Sequence, residues 1–171
     1  MGTEALFGLV VHGLDISLNT ARALPRRVHH GGWLRGVVGH ALQRGNCVME
    51  TPDCGGCALR EGCAYPQLFR PQMLPGHESH LPPYVIHDWR LLRDDPGIRF
   101  QVLLLGAAVN HAENLIRQLD VHAPGLEMGG GGPGRWGTVR DLGSGEVIFA
   151  AGCFRKGALL QPLSPPPVRE K

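Results

Sequence analysis

The chain contains no apolar run of the roughly 18 residues that a membrane helix requires, so a membrane span is not expected. Its formal net charge is only +2 over 171 residues, too small for bulk charge alone to define a nucleic-acid binder. The glycine-rich stretch Gly125–Gly137 reads GLEMGGGGPGRWG. No Gly-Lys-Ser/Thr follows it, and a strand pattern rather than a helix comes next, which excludes a Walker-type ATP site. No signal peptide is recognised ahead of the cysteines, so a reducing, cytoplasmic setting is expected and disulfides are disfavoured. Internal repeats are not visible. A hydrophobic content of 43% is that of a soluble globular chain, with room for one well-packed domain.

Charge is nevertheless unevenly spread. Arg22, Arg26, Arg27, His29, His30, Arg35 and Arg44 follow one another with no acid after Asp15, and such a cluster can meet phosphates. Within it, Trp33, Leu34, Val37, Val38, Ala41 and Leu42 recur at three- and four-residue spacing, which predicts a helix. Gly45 and Asn46 end it, as residues tolerant of positive φ do. Gly36 and Gly39, three apart, predict close approach of this helix to a sheet.

Four cysteines come next, Cys47, Cys54, Cys57 and Cys63, spaced C-x6-C-x2-C-x5-C. Cys54 and Cys57 flank Gly55-Gly56 as a knuckle that turns two sulfurs towards one point. Two outlying thiolates complete a closed tetrahedral set, the form of structural zinc. His40, His77 and His80 are substitute ligands should one cysteine stay out. Cys153 lies far off and reads as a free buried thiol.

The remaining elements follow in order. Ala5–Ile16 reads as a central strand, and Asn19–Pro25 as a loop. Tyr65–Phe69 is a helical turn, and Tyr84–Trp89 alternates as an edge strand does. Asp94-Asp95-Pro96-Gly97 is a turn closing a hairpin to Arg99–Leu105. A helix over Asn110–Asp120 points Leu115, Ile116 and Leu119 inward. Thr138–Leu142 and Glu146–Phe149 form a hairpin through Gly143-Ser144-Gly145. Strand, helix, cysteine loop, strand, strand, helix, strand is the order of an α+β, split βαβ, ferredoxin-like (RRM-like) domain. It would span 1–163, with a cysteine-rich zinc-binding insertion at 45–83 after the first helix, and a Pro-rich tail at 164–171.

Metal-free RNA cleavage needs a base for the 2′-hydroxyl, an acid for the 5′-oxygen and cations for the phosphate. His29, His30 and His40, set among Arg26, Arg27 and Arg35, are candidates for the base. Gly130, Gly132 and Gly134 can turn backbone N–H groups to phosphates, with Arg135 adding charge and Trp136 a stacking plane.

Leu34, Arg35, Gly36, Gly39, His40, Ala41 and Leu42, then Cys63, Tyr65, Leu68 and Phe69, resemble CRISPR repeat-processing endoribonucleases of the RAMP superfamily. Pro82-Pro83-Tyr84-Val85-Ile86, Leu103–Ala107 and the loop Gly129–Gly137 fit the same pattern in order. The resemblance covers most of the chain. It implies binding of CRISPR RNA and repeat processing by metal-independent cleavage that leaves a 2′,3′-cyclic phosphate. One histidine before or within the first helix would be the base, and the glycine-rich loop would contact guide or repeat RNA. The alternatives are a non-catalytic RAMP subunit binding guide RNA among other CRISPR effector subunits, or a zinc-stabilised protein-interaction module. Such proteins usually hold two ferredoxin-like halves. This chain matches the first, so a homodimer or a partner is expected to supply the second.

Overall fold

The protein is described by a computed structural model covering residues 9–24, 30–49, 53–92, 96–122, 132 and 134–163, the side chain of Asp88 apart. The first strand, β1 (Val11–Thr20), places Leu14, Ile16 and Leu18 on one face, all fully buried. Asp15, Ser17 and Asn19 alternate onto the other, as a half-buried strand requires. A helix, α1 (His30–Asn46), follows, and a short helix α2 (Ala64–Phe69) lies beyond the cysteine segment. Strands β2 (Tyr84–Leu91) and β3 (Gly97–Leu105) form a pair. A 3₁₀ stretch, Gly106–His111, leads into α3 (Ala112–His122). Strands β4 (Gly134–Asp141), β5 (Val147–Ala150) and β6 (Cys153–Phe154) complete the chain.

The result is a mixed α+β fold around a six-stranded sheet of order β2-β3-β1-β4-β5-β6, antiparallel at every pairing. The register sets Leu14 opposite Val102, Ile16 opposite Phe100 and Leu18 opposite Ile98. That apolar face joins the buried sides of α1 (Leu34, Val37, Val38, Ala41, Leu42) and α3 (Leu115, Ile116, Leu119) in one core. Asn46 and Asn114 exchange side-chain hydrogen bonds, each 3.0 Å, across the two helices. The last described residues return to the first: Leu163 N–H donates to Val11 O at 2.8 Å, and Pro162 bridges His12. Among the described residues no helix is long and apolar enough to cross a membrane.

Several boundaries differ from the sequence expectations. The first strand runs on to Thr20, because Leu18 continues the alternation and pairs on both sides, with Ile98 and Trp136. Gly134–Gly137 is strand rather than loop, since Gly134 and Arg135 pair with Thr20 and Asn19. Cys153 is free but exposed, standing on a two-residue edge strand with little to cover it. The residues preceding Gly97 in the expected turn, Asp94 and Asp95, lie outside the described residues, as do the tail at 164–171 and Gly130.

Gly39 makes its close approach to α2, not to the sheet. A Cβ there would lie 2.6 Å from the Phe69 ring, whereas one at Gly36 meets nothing within 4 Å. Gly39→Val is therefore expected to destabilise the fold by about 1–3 kcal/mol through overpacking. Gly36→Ala, on the same helix, should be neutral or stabilising by up to about 1 kcal/mol. Urea denaturation of the two variants separates them.

Candidate nucleic-acid interface and metal centre

Because α1 and α3 cover one face of the sheet, the alternate residues of each strand present the other. In β3 these are Arg99, Gln101, Leu103 and Leu105, each half-buried, alternating with the fully buried Ile98, Phe100, Val102 and Leu104. The register adds Asp15 and Ser17 from β1, His87 and Arg90 from β2, and Arg140 and Arg135 from β4. Arg90 stands directly opposite Arg99, an arrangement that like charges disfavour. Asp15 offsets it. This carboxylate is 6% exposed and accepts two hydrogen bonds from Arg99, at 2.6 Å from Nε and 2.5 Å from Nη2. Such a bidentate pair holds the guanidinium in one orientation on the sheet. Arg140, opposite Asp15, donates to the Gly145 carbonyl, and Arg135 is exposed beside Asn19. Four arginines from three strands thus share the face with the buried Asp15.

The residues singled out from the sequence are spread more widely. Arg26, Arg27, His29 and Gly130 lie outside the described residues. His30 is fully buried as the first residue of α1, edge-on to Trp33 and to Trp89 at 6.1 and 5.0 Å between ring centroids. Trp33 is half-buried in the same cluster, as a core anchor should be. His40 is exposed on α1, on the side of the sheet away from the arginines. Arg35 lies with its guanidinium over the rings of Phe69 (4.8 Å) and Tyr84 (5.3 Å). Burial pushes the Tyr84 hydroxyl above the usual tyrosine range, and Arg35 pulls against that shift. Gly132 adopts φ +74°, the left-handed region, and Gly134 is buried in β4. Trp136 is not an open stacking plane: β4 turns it to the helix-covered face, where it stacks with Phe100 at 6.5 Å.

The cysteine segment brings its four thiols to one place. Cys47, Cys54, Cys57 and Cys63 are free, half-buried, and line one cavity of about 340 Å³. Asp53 Oδ1 accepts from Gly55 N–H at 2.9 Å and Arg60 donates to the Gly55 carbonyl, so the knuckle between Cys54 and Cys57 is held from both sides. Burial raises the Cys54 thiol pKa, Cys63 adds to the shift and Arg70 opposes it. Cys63 is raised likewise, by burial first, with Cys57 and Cys47 adding to it. A bound dication would relieve the cost of ionising Cys54 and Cys63. None of His40, His77 and His80 lines this cavity. Among the described residues no group of three or more His, Cys, Asp and Glu side chains is drawn together at metal-holding distance.

Arg99, Arg140, Arg90 and Asp15 were not among the sequence candidates. The signal was present in the alternation Ile98-Arg99-Phe100-Gln101-Val102, which puts Arg99 on the face opposite the core. An antiparallel α+β domain with one helix-covered face and one arginine-bearing face is the class defined here. The chain belongs to the AF_1859_N family, described as an N-terminal domain, whose model matches residues 9–152. Comparison with curated proteins gave no match.

Arg99→Ala removes the partner of a buried carboxylate, and should cost about 1–3 kcal/mol in thermal or urea denaturation. Adding Asp15→Asn to it should recover part of that loss. Equal stabilities for the single and double variants would mean that the pair contributes little.

Proposed function

We propose that this domain is an RNA-binding member of the RAMP class that acts on CRISPR repeat or guide RNA. The observation that carries the reading is the open sheet face, where Arg90, Arg99, Arg135 and Arg140 come together from three strands. Asp15 offsets Arg99, and the exposed Arg90, Arg135 and Arg140 leave positive charge on this face that a polyanion can meet. Phosphate contacts of this kind supply affinity and salt dependence, and a sheet face is a known platform for single-stranded RNA. The order β2-β3-β1-β4, with α1 after β1 and α3 after β3, supports the ferredoxin-like reading, β5 and β6 extending the sheet beyond β4. The link to CRISPR comes from the sequence resemblance carried by α1 and the cysteine segment.

The same proposal assigns a structural zinc ion to Cys47, Cys54, Cys57 and Cys63. The donor set fits: four thiols on one cavity, with no carboxylate or open polar position required. When bound, such an ion supplies folding free energy to a segment that has little core of its own. The chain's own contribution is to bring the knuckle and the flanking thiols to the lining of one cavity. Repeat cleavage without a metal ion would leave a 2′,3′-cyclic phosphate. Of the three histidines near α1, His30 is enclosed and His40 stands on the far side of the sheet from the arginines, while His29 lies outside the described residues.

Two measurements test these readings. Retention on single-stranded RNA should weaken as salt rises. Neutral replacements at Arg90, Arg135 and Arg140 should flatten the slope of log K against log salt by about one for each phosphate no longer neutralised. An unchanged slope would place the RNA elsewhere. Elemental analysis of reduced, unchelated protein should give about one zinc per chain, and Cys54→Ser or Cys57→Ser should lose both the ion and the folded cysteine segment. A value well below one would remove the metal.

A further inference from the structure

A second cavity, of about 550 Å³, lies beside α2, within the roughly 300–1,000 Å³ of small-molecule sites. Leu74, Leu81 and Leu105 give it an apolar wall, and His77, His80 and His111 line it as well. Short turns hold the loop that carries most of these residues. His77 N–H donates to the Leu74 carbonyl at 3.1 Å, His80 N–H to that of His77 at 2.9 Å, and Gly76 N–H to Glu78 Oε1 at 3.0 Å. Leu105 N–H donates to the Pro83 carbonyl at 2.9 Å and joins the end of the loop to β3. Leu81 is 85% exposed, so an apolar ligand entering here would bury it.

Hydrogen bonds settle what His111 offers to a ligand. Gln67 Nε2 donates to the Glu61 carbonyl, so the amide presents Oε1 to His111. His111 Nε2 lies 2.6 Å from that oxygen. A carbonyl oxygen cannot donate, so Nε2 carries the hydrogen and Nδ1 keeps the lone pair. Nδ1 has no hydrogen-bond partner among the described residues and keeps access to solvent. Burial holds His111 below the usual imidazole range, so at neutral pH the ring is a neutral acceptor. His77 and His80 are exposed, with rings 29° from parallel and centroids 4.4 Å apart, a flat surface on which another ring can stack. The carboxylate of Glu61 also belongs to the lining.

A neutral imidazole and a carboxylate do not suit a phosphate. They suit a planar, uncharged ring that donates through an amine. Of the four RNA bases, adenine alone has an exocyclic amine and no carbonyl oxygen to bring against Glu61. We propose that this cavity binds one unpaired adenine of an RNA strand, its 6-amino group donating to His111 Nδ1 and its ring lying against the histidine pair and the apolar wall. This rests on the RNA-binding reading of the sheet face. Alternation in β3 puts Leu105 on that face, six positions and roughly 20 Å from Arg99. A strand of a few nucleotides therefore reaches from the arginines, which hold its phosphates, to the cavity, which takes a base.

The test measures binding of the full chain, at one fixed salt concentration, to three single strands of ten nucleotides. One is oligoadenylate, one carries purine without the 6-amino group, and one keeps the sugar–phosphate chain but has no bases. Oligoadenylate should bind about 5–150-fold tighter than the abasic strand, the range of one stacked base, and about 2–10-fold tighter than the purine strand. Ala107→Trp, at an exposed position on the cavity lining, should abolish the first preference and leave the abasic strand's affinity unchanged. Leu81→Ser, on a side chain too exposed to hold the fold, should lower the same preference. His111→Phe keeps a ring but no acceptor, and should bind the adenine and purine strands equally, with circular dichroism confirming its fold. Adenosine monophosphate alone should bind at least tenfold more weakly than oligoadenylate. Equal binding would make the ligand a free nucleotide and overturn the assignment to RNA. Equal affinity of the unaltered protein for adenine and abasic strands, or an adenine preference kept by both Ala107→Trp and Leu81→Ser, overturns the proposal and leaves phosphate binding by the sheet face standing. Failure to bind any strand overturns both.

Discussion

The fold depends on a single constraint: β1 is paired along both edges, so its faces must satisfy two different solvents. One face buries Leu14, Ile16 and Leu18 completely, each side chain contributing about 1.5–3 kcal/mol when removed from water. Between them, on the opposite face, stands Asp15. An acid in the middle of a central strand is tolerable only with a cation held against it, and Arg99 meets that need from β3. The polar face of the sheet, with the arginines gathered on it, follows from this one placement. It is the reverse side of the core, chemically specified by the same strand.

The cysteine segment is tied to this scaffold by packing more than by hydrogen bonding. Phe69 of α2 seats against the bare backbone of Gly39, and Arg35 covers the outer side of that ring. Tyr65, Phe69 and Tyr84 continue as a stack with centroids 5.8 and 5.6 Å apart, reaching from α2 to the edge strand. Gln67 projects from the same short helix to His111. A change in order around Cys57–Cys63 therefore has a short mechanical route, through the Glu61 carbonyl and one amide, to the start of α3.

Much of this was legible beforehand. Leucine and valine spacing marked α1 and α3, and alternation marked β2 and β3, because both depend on a local period. The cysteines could be grouped because their spacing is itself a geometric statement. What escaped was set by tertiary partners. The extension of β1 to Thr20 and the capture of Gly134–Gly137 as strand arise from pairing between segments far apart in sequence. His30 and Trp136 looked like functional side chains, yet α1 and β4 turn them inward, against Trp89 and Phe100. The hydrogen bond between His111 and Gln67, 44 positions apart, could not be read from any local pattern.

The return of Pro162 and Leu163 to the start of β1 has a mechanical consequence. Residues 11 and 163 stand at one corner of the sheet, on antiparallel neighbours. A pulling force applied between those two points would load the Leu163–Val11 hydrogen bond first and the bonds behind it one after another, as in opening a zipper. Strands pulled from opposite corners would instead share the load across the whole ladder. Under tension this domain is built to yield early from that corner, whatever its resistance to heat or denaturant.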